Sequence, residues 1–301
     1  MPANRRKEPP LTIHLTALAD LEERASSHRL AWLASDDDGT PLGSAFLRLF
    51  TNDGQRHLAE VDVRVHPAER RRGVGKALLD AALEAATVDG RRAVMAETEP
   101  GTDGARFLSE RDFRKVLTLI FTRLSLADAH PESKPCAGYR LVSWDGEVPS
   151  ELAETFAESR RAMDDMPMGE VDYGRVDWDV EQVKAIAKAV EKRGELLHTV
   201  AAVHEETGAI AGFTELTVPG TRTGDGQNYG TGVLPGHRGH GLGHWMKAEA
   251  IRLVRERHPE VTGLLTDTAE DNTPMRRVNE ALGYVTVRTT ARYQRKLGEI
   301  G

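Results

Sequence analysis

The sequence predicts an α/β chain, α+β in detail, made of two tandem copies of one unit, each a mixed and mostly antiparallel central sheet flanked by helices. Three observations predict it. At 301 residues the chain exceeds one average domain and is long enough to bury two cores. A segment of the form V-x-P-x-x-R-x-x-G-x-G occurs twice, from Val65 to Gly75 and from Val233 to Gly243. The strand-like and helix-like patterns around the two copies follow the same order.

Ahead of each copy, apolar or alternating runs bounded by turn residues read as strands of a meander. They are Leu30 to Ser35, Leu42 to Phe50 and His57 to Val65, then Leu196 to Val203, Ile210 to Val218 and Tyr229 to Leu234. Behind each copy, Val74, Leu78, Ala82 and Ala85, and Leu242, Met246, Ala250, Leu253 and Val254, recur at helical spacing. Each glycine loop therefore joins a strand to an amphipathic helix. Short strands follow, Ala93 to Glu97 and Gly263 to Thr266, then short helices ending in an aromatic, Phe107 to Phe113 and Val278 to Tyr284. Strand-like sequence closes both halves, Val116 to Leu126 and Val285 to Tyr293. The stretch from Ala129 to Gly138, with two prolines, reads as a linker. The expected domains are residues 1–130 and 139–301, with 131–138 between them. Two further helices, Ser150 to Met163 and Val180 to Arg193, are expected in the second domain only. Ala17 to Ser27, read as a helix, takes their place in the first.

Composition narrows the function. Apolar residues are 39% and charged residues 29%, a folded globular balance. The net charge is −7, and neither half is net basic, which excludes the footprint of a nucleic-acid binder. No run approaches the roughly 18 apolar residues of a membrane span, and the opening residues lack a secretory apolar core. The expectation is a cytoplasmic protein, monomer or homodimer, with no metal. Cys136 is the only cysteine and reads as a linker residue.

A strand running into R-x-x-G-x-G and then a helix suits an anion. Glycines let successive backbone N–H groups turn toward a phosphate, and the helix start adds unsatisfied donors. A pyrophosphate is the expected guest. Walker A is excluded, since Lys76 after Gly75 is followed by Ala77. The meander and the glycine spacing disfavour a dinucleotide-binding βαβ unit.

These residues resemble the GNAT acetyltransferase superfamily, in its tandem two-domain form. The resemblance rests on both V-x-P-x-x-R-x-x-G-x-G copies and on the run from Asp271 to Tyr284 ending in Leu282-Gly283-Tyr284. It implies acetyl-CoA as cofactor. Arg238, Gly239, His240, Gly241, Leu242 and Gly243 would cradle its pyrophosphate, Val233 and Leu234 would lie along the pantetheine, and Asn272 would contact the cofactor. The first-half equivalents are Val65, His66, Arg70, Arg71, Arg72, Gly73, Val74 and Gly75. Gly101 falls where Asn272 stands, so the first domain is expected to be catalytically silent.

The resemblance also implies transfer of an acetyl group to the amine of a small molecule. Many members use a Tyr five residues before the final aromatic as an acid for the departing thiolate. Asn279 holds that position and has no proton to give, which leaves weak acid assistance or another donor such as Tyr229. Glu215, on the strand from Gly212 to Val218, is the first choice of base, with a solvated strand carboxylate as the alternative. Its first-half counterpart is Phe46. Asp164, Asp165 and Met166, in an acidic segment between the two extra helices, are expected to border the acceptor site and attract an ammonium. The rival to an enzyme is a CoA-binding sensor or scaffold that does not turn over.

Overall fold

The computed structural model describes residues 11–18, 27–164 and 178–298. Among them the chain divides into two compact units, one holding 11–116 with 291–298 and the other 117–290.

In the first unit β1 (His14–Leu18), β2 (Ser27–Ser35), β3 (Pro41–Phe50) and β4 (Leu58–Val65) pair antiparallel in sequence order. β4 then pairs parallel with β5 (Ala93–Thr98), and α1 (Val74–Val88) makes the connection that a parallel pair requires. The buried stripe of α1, Val74, Leu78, Leu79, Ala82, Leu83 and Ala86, covers the sheet. α2 (Asp103–Ser109) follows, capped by the Thr102 hydroxyl.

The second unit repeats this plan. β7 (Tyr139–Asp145), β8 (Glu195–His204), β9 (Ile210–Pro219) and β10 (Gly224–Val233) form the antiparallel meander. β11 (Val261–Ala269) lies parallel to β10 after α5 (Leu242–Arg257), and α6 (Thr273–Ala281) follows. Two helices stand between β7 and β8: α3 (Ala153–Ser159), extended by 3-10 turns at both ends, and α4 (Val180–Lys192). They cover a sheet face on which Ile210 and Phe213 meet Phe156, Val183 and Trp144.

The closing strands are exchanged. β6 (Arg114–Ser125) pairs antiparallel with β11, Leu119 to Ser125 against Ala269 to Gly263. β12 (Val285–Lys296) pairs with β5 through Ala291 to Lys296. Leu124 and Leu126 thereby fill the core containing Leu216, Val218 and Ile251, while Ala291 and Tyr293 join Leu47, Ala82 and Phe113.

One glycine in each unit sets how closely helix and strand approach. A Cβ at Gly43 would lie 2.5 Å from the Arg64 carbonyl oxygen and 3.3 Å from Leu78; one at Gly212 would lie 2.7 Å from the Gly232 oxygen and 3.1 Å from Met246. No side chain fits there without moving backbone.

The helix expected at Ala17 to Ser27 is corrected at both ends. Ala17 and Leu18 pair with Trp32 and Ala31 in the β1–β2 ladder, and Ser27 opens β2; residues 19–26 lie outside the described residues. Ladder pairing overrides local helix propensity here. β7 and the Gly224 to Asn228 portion of β10 carried no strand pattern in the sequence. No helix among the described residues is long and apolar enough to cross a membrane.

Lys247 of α5 is the anomaly in the second core. It is 3% exposed, its Nζ donates to Asn228 Oδ1, and it lies 5.0 Å from the centre of the Tyr284 ring. Burial lowers its pKa to about 7. A base whose folded pKa lies below its unfolded value stabilises least when protonated, so stability falls as pH drops from above 10 toward 7. Lys247→Met should therefore stabilise the protein by roughly 1–3 kcal/mol at pH 6 and by little at pH 10. Urea unfolding at the two pH values measures it; equal effects at both would mean that the amine carries no charge cost.

Candidate functional site

The site grows from a parting of strands. β10 and β11 pair only from Gly224 to Gln227, against Val261 to Leu265, while β10 runs on to Val233 against β9 alone. The register slips between Asn228 and Gly230, so Tyr229 is the extra residue of a bulge. In the first unit β4 and β5 likewise pair only over Leu58 to Glu60, with β4 continuing to Val65.

Beyond the parting, both glycine loops take one shape. A 3-10 turn (Pro235–His237, or Pro67–Glu69) leads to an arginine that folds back on the strand end. Arg238 Nε donates to the Val233 carbonyl at 2.9 Å, and Arg70 Nε to the Val65 carbonyl at 3.4 Å. Gly239 (φ 84°) and Gly241 (φ 81°) are left-handed, and Gly241 caps α5. Arg71 (φ 65°) and Gly73 (φ 95°) occupy those places in the first unit. A Cβ at Gly243 would meet nothing within 4 Å, whereas at Gly75 it would touch Phe107 and Val65 at 3.4 Å. The second loop thus has open space beside Gly243 at the α5 N-terminus, where the first loop is filled. His240, between the two left-handed glycines, is exposed, and Leu242 is buried. In the first loop Val74 is buried, His66 Nδ1 accepts from the Ala68 N–H at 3.3 Å, and Arg72 is paired with Glu69. Cys136, on the segment before β7, donates its Sγ hydrogen to the His240 carbonyl at 3.0 Å.

Glu215 is not a solvated strand carboxylate. It is 1% exposed, and Oε1 accepts from Arg160 at 2.5 Å while Oε2 is buried without a partner. The Arg160 guanidinium lies 5.0, 5.0 and 4.7 Å from the ring centres of Phe156, Trp178 and Phe213. Burial pushes the Glu215 pKa up and the Arg160 charge opposes this. Glu215 stands in register with Gly230, beside the bulge. Tyr229 is half exposed, with its hydroxyl beside Arg193.

The segment after α3 packs on the same strand. A Cβ at Gly232 would lie 2.9 Å from Ala162, and one at Gly230 would lie 3.5 Å from Met163. Glycines at both positions let the turn Arg160–Met163 sit directly on β10, and the exposed Asp164 follows that turn. Asp165 and Met166 lie outside the described residues. Asn272 caps α6, its Oδ1 accepting from the Met275 N–H at 3.3 Å. Asn279 is buried, with Nδ2 donating to Thr268 Oγ1 at 3.2 Å and Oδ1 unpartnered.

Sequence reasoning missed Arg160, Asn228 and Lys247. Lys247 left a signal, since it stands four and seven residues before Ile251 and Val254 on the buried stripe of α5. Arg160 left none, because one of two adjacent arginines after a short helix reads as surface.

The profile of the Acetyltransferase (GNAT) family matches residues 4–113 and again 163–284. A mycothiol acetyltransferase of Stackebrandtia nassauensis is 30% identical over 269 residues, spanning 87% of this chain and 81% of that protein. One from Clavibacter sepedonicus is 30% identical over 247 residues, spanning 80% and 73%. Among solved structures, a tandem GNAT protein from the clavulanic acid biosynthesis pathway superposes with a TM-score of 0.68 at 28% identity, over 92% of this chain and 85% of that one. With two glycine loops on two units of one plan, the chain belongs to the GNAT acetyltransferase family and is an acetyl-CoA-dependent N-acetyltransferase.

Proposed function

We propose that the second unit carries out the transfer, to the amine of a small-molecule acceptor that enters beside the β10 bulge. One observation carries this reading. In the second unit a buried carboxylate with an unpartnered oxygen, Glu215, stands across from the bulge under α3 and α4. In the first unit Phe46 holds the corresponding place, three residues after Gly43 as Glu215 is after Gly212, and Arg29 stacks over its ring at 4.9 Å. The relatives' name, mycothiol acetyltransferase, supports a small-molecule acceptor. On the same reading the enzyme works in the cytoplasm, as a monomer or homodimer without nucleic acid.

Acetyl-CoA supplies an activated thioester when bound. The chain's part is to hold and to move protons. The backbone of residues 238–243 holds the diphosphate, Val233 and Leu234 line the adjoining arm, and Asn272 fixes the start of α6 beside it. An ammonium acceptor has no lone pair until it loses a proton, and its pKa near 10 keeps it protonated at neutral pH. Asp164 draws the ammonium in. Glu215 Oε2 takes the proton, directly or through a water, while Arg160 fixes the other oxygen. Burial raises the basicity of that carboxylate toward the working pH. Asn279 is unable to protonate a departing thiolate, and the exposed Tyr229 of the bulge is the candidate donor in its place.

Gly243→Val adds a side chain where the structure has open space, so the fold should stand while CoA binding at the second cradle is lost. Calorimetric stoichiometry should fall and turnover should cease, whereas Gly75→Val should leave turnover within a few-fold of the parent. Turnover that dies with Gly75→Val in a folded protein would assign the chemistry to the first unit.

Glu215→Gln should lower turnover by roughly 10² at neutral pH, with partial recovery in alkali and unchanged acetyl-CoA affinity. It also leaves Arg160 buried without a counter-charge, a loss of about 3–5 kcal/mol in stability. The pair Glu215→Gln with Arg160→Met should regain stability without regaining activity. A folded double variant working at the parent's rate would make Glu215 an ion-pair partner and nothing more.

A further inference from the structure

We infer that the imidazoles of His204, His237 and His240 form a phosphate-binding cluster at the lip of the second cradle, which takes up a proton as the phosphates of the acetyl donor bind. This rests on the reading that those phosphates sit on residues 238–243. The three rings come from three places in the chain, the end of β8, the turn after β10 and the glycine loop, and all face one buried side chain. Their centres lie 5.3, 5.7 and 5.6 Å from that of Tyr139. His204 and His237 are 5.3 Å apart, and the Tyr139 hydroxyl and His237 Nδ1 share a hydrogen bond of 2.9 Å.

Around this cluster, two carboxylates, Glu205 and Glu206, follow His204 and are exposed. β7 contributes Tyr139, and the segment before it Cys136, whose Sγ is engaged with the His240 carbonyl. β8 contributes His204, with Thr207 Oγ1 at 3.1 Å from its Nδ1. The loop contributes Arg238, whose Nε is turned onto the Val233 carbonyl. α5 contributes the positive end of its dipole. Among the described residues no carboxylate forms an ion pair with any of the three imidazoles. His237 is held below the ordinary histidine value by burial first and then by His204 and His240. Three imidazoles gathered on one tyrosine stand beside the N–H donors of the α5 N-terminus. A phosphate placed there reverses the sign of the local field and favours the imidazolium.

The first cradle supplies an internal contrast. Glu69 and Arg72 stand where His237 and His240 stand in the second, and they pair with each other. His66 is the imidazole of that loop, and binding there is expected to vary less with pH than at the second cradle.

The test is calorimetry of the full chain with 3′-dephospho-CoA, whose diphosphate does not titrate near neutrality, at pH 6.5 in two buffers of different ionisation enthalpy. CoA in a parallel series shows whether the 3′-phosphate monoester is used as well. The expected result is net proton uptake and an affinity that falls about tenfold between pH 6 and pH 8. The variants His237→Gln and His240→Gln should lose that uptake and bind at pH 6 no more tightly than the parent does at pH 8. Buffer-independent heats, with binding lost in Gly243→Val, would overturn the cluster and leave the cradle standing. Binding that persists in Gly243→Val at full stoichiometry would overturn the cradle reading, and the cluster with it.

Discussion

The parallel pairing of β10 with β11 lasts from Gly224 to Gln227 and then stops, and the geometry of the second unit follows from that interruption. A strand that loses one neighbour must satisfy its backbone groups elsewhere or leave them for a ligand. β10 keeps β9 on one side, admits a bulge at Tyr229, and ends in a turn that Arg238 closes onto the Val233 carbonyl. β11 turns its other edge to β6, whose residues come from the preceding half of the chain. The exchange of closing strands therefore gives β5 and β11 each a second neighbour, β12 and β6.

The two units share this frame and differ in what they bury on it. The first has a left-handed arginine, Arg71, where the second has Gly239, and a Cβ at Gly75 would meet Phe107 where Gly243 has open space. Its Glu60, Asp62 and Arg64 lie on a sheet face bordering an open groove of about 420 Å³. In the second unit the corresponding face is covered by α3 and α4, and Glu215 and Arg160 are enclosed with three aromatic rings. A cover over a sheet face converts exposed charges of small consequence into buried charges of large consequence.

Most of the frame was legible in the sequence because it is periodic. The meander strands alternate, α1 and α5 repeat at helical spacing, and the glycine loops stand between them in both copies. β7 was not legible, since the stretch from Tyr139 to Asp145 mixes exposed and buried positions without alternation. The Gly224 to Asn228 part of β10 was hidden by glycines that weaken any strand signal. The exchange of β6 and β12 was out of reach because pairing partners are a property of tertiary structure. At the site, the loop residues could be read off a motif, whereas the surroundings of Glu215 could not. Alternation leaves its face open, and Arg160 comes from 55 residues earlier in the chain.

Buried polar groups without partners are where the second unit departs from a well-satisfied core. Glu215 Oε2, Arg160 Nε and Asn279 Oδ1 are all buried and unpartnered, and Lys247 is buried with a neutral amide as its acceptor. Each costs stability that an apolar residue of the same size would not. Thr122 Oγ1, Thr199 Oγ1, His258 Nδ1 and Thr290 Oγ1 are unpartnered elsewhere in the unit, but the groups named above border one opening. Glu215 is in register with the bulge, Asn228 holds Lys247 one residue before it, and Asn279 reaches Thr268 on the strand that has parted from β10. Asn228 also donates to the Glu215 backbone carbonyl and to Thr214 Oγ1, so the Glu215 backbone, the bulge and the buried amine belong to one network. Of the unpartnered atoms at this opening only the Glu215 carboxylate oxygen is able to take up a proton, whereas Arg160 Nε and Asn279 Oδ1 contribute polarity alone.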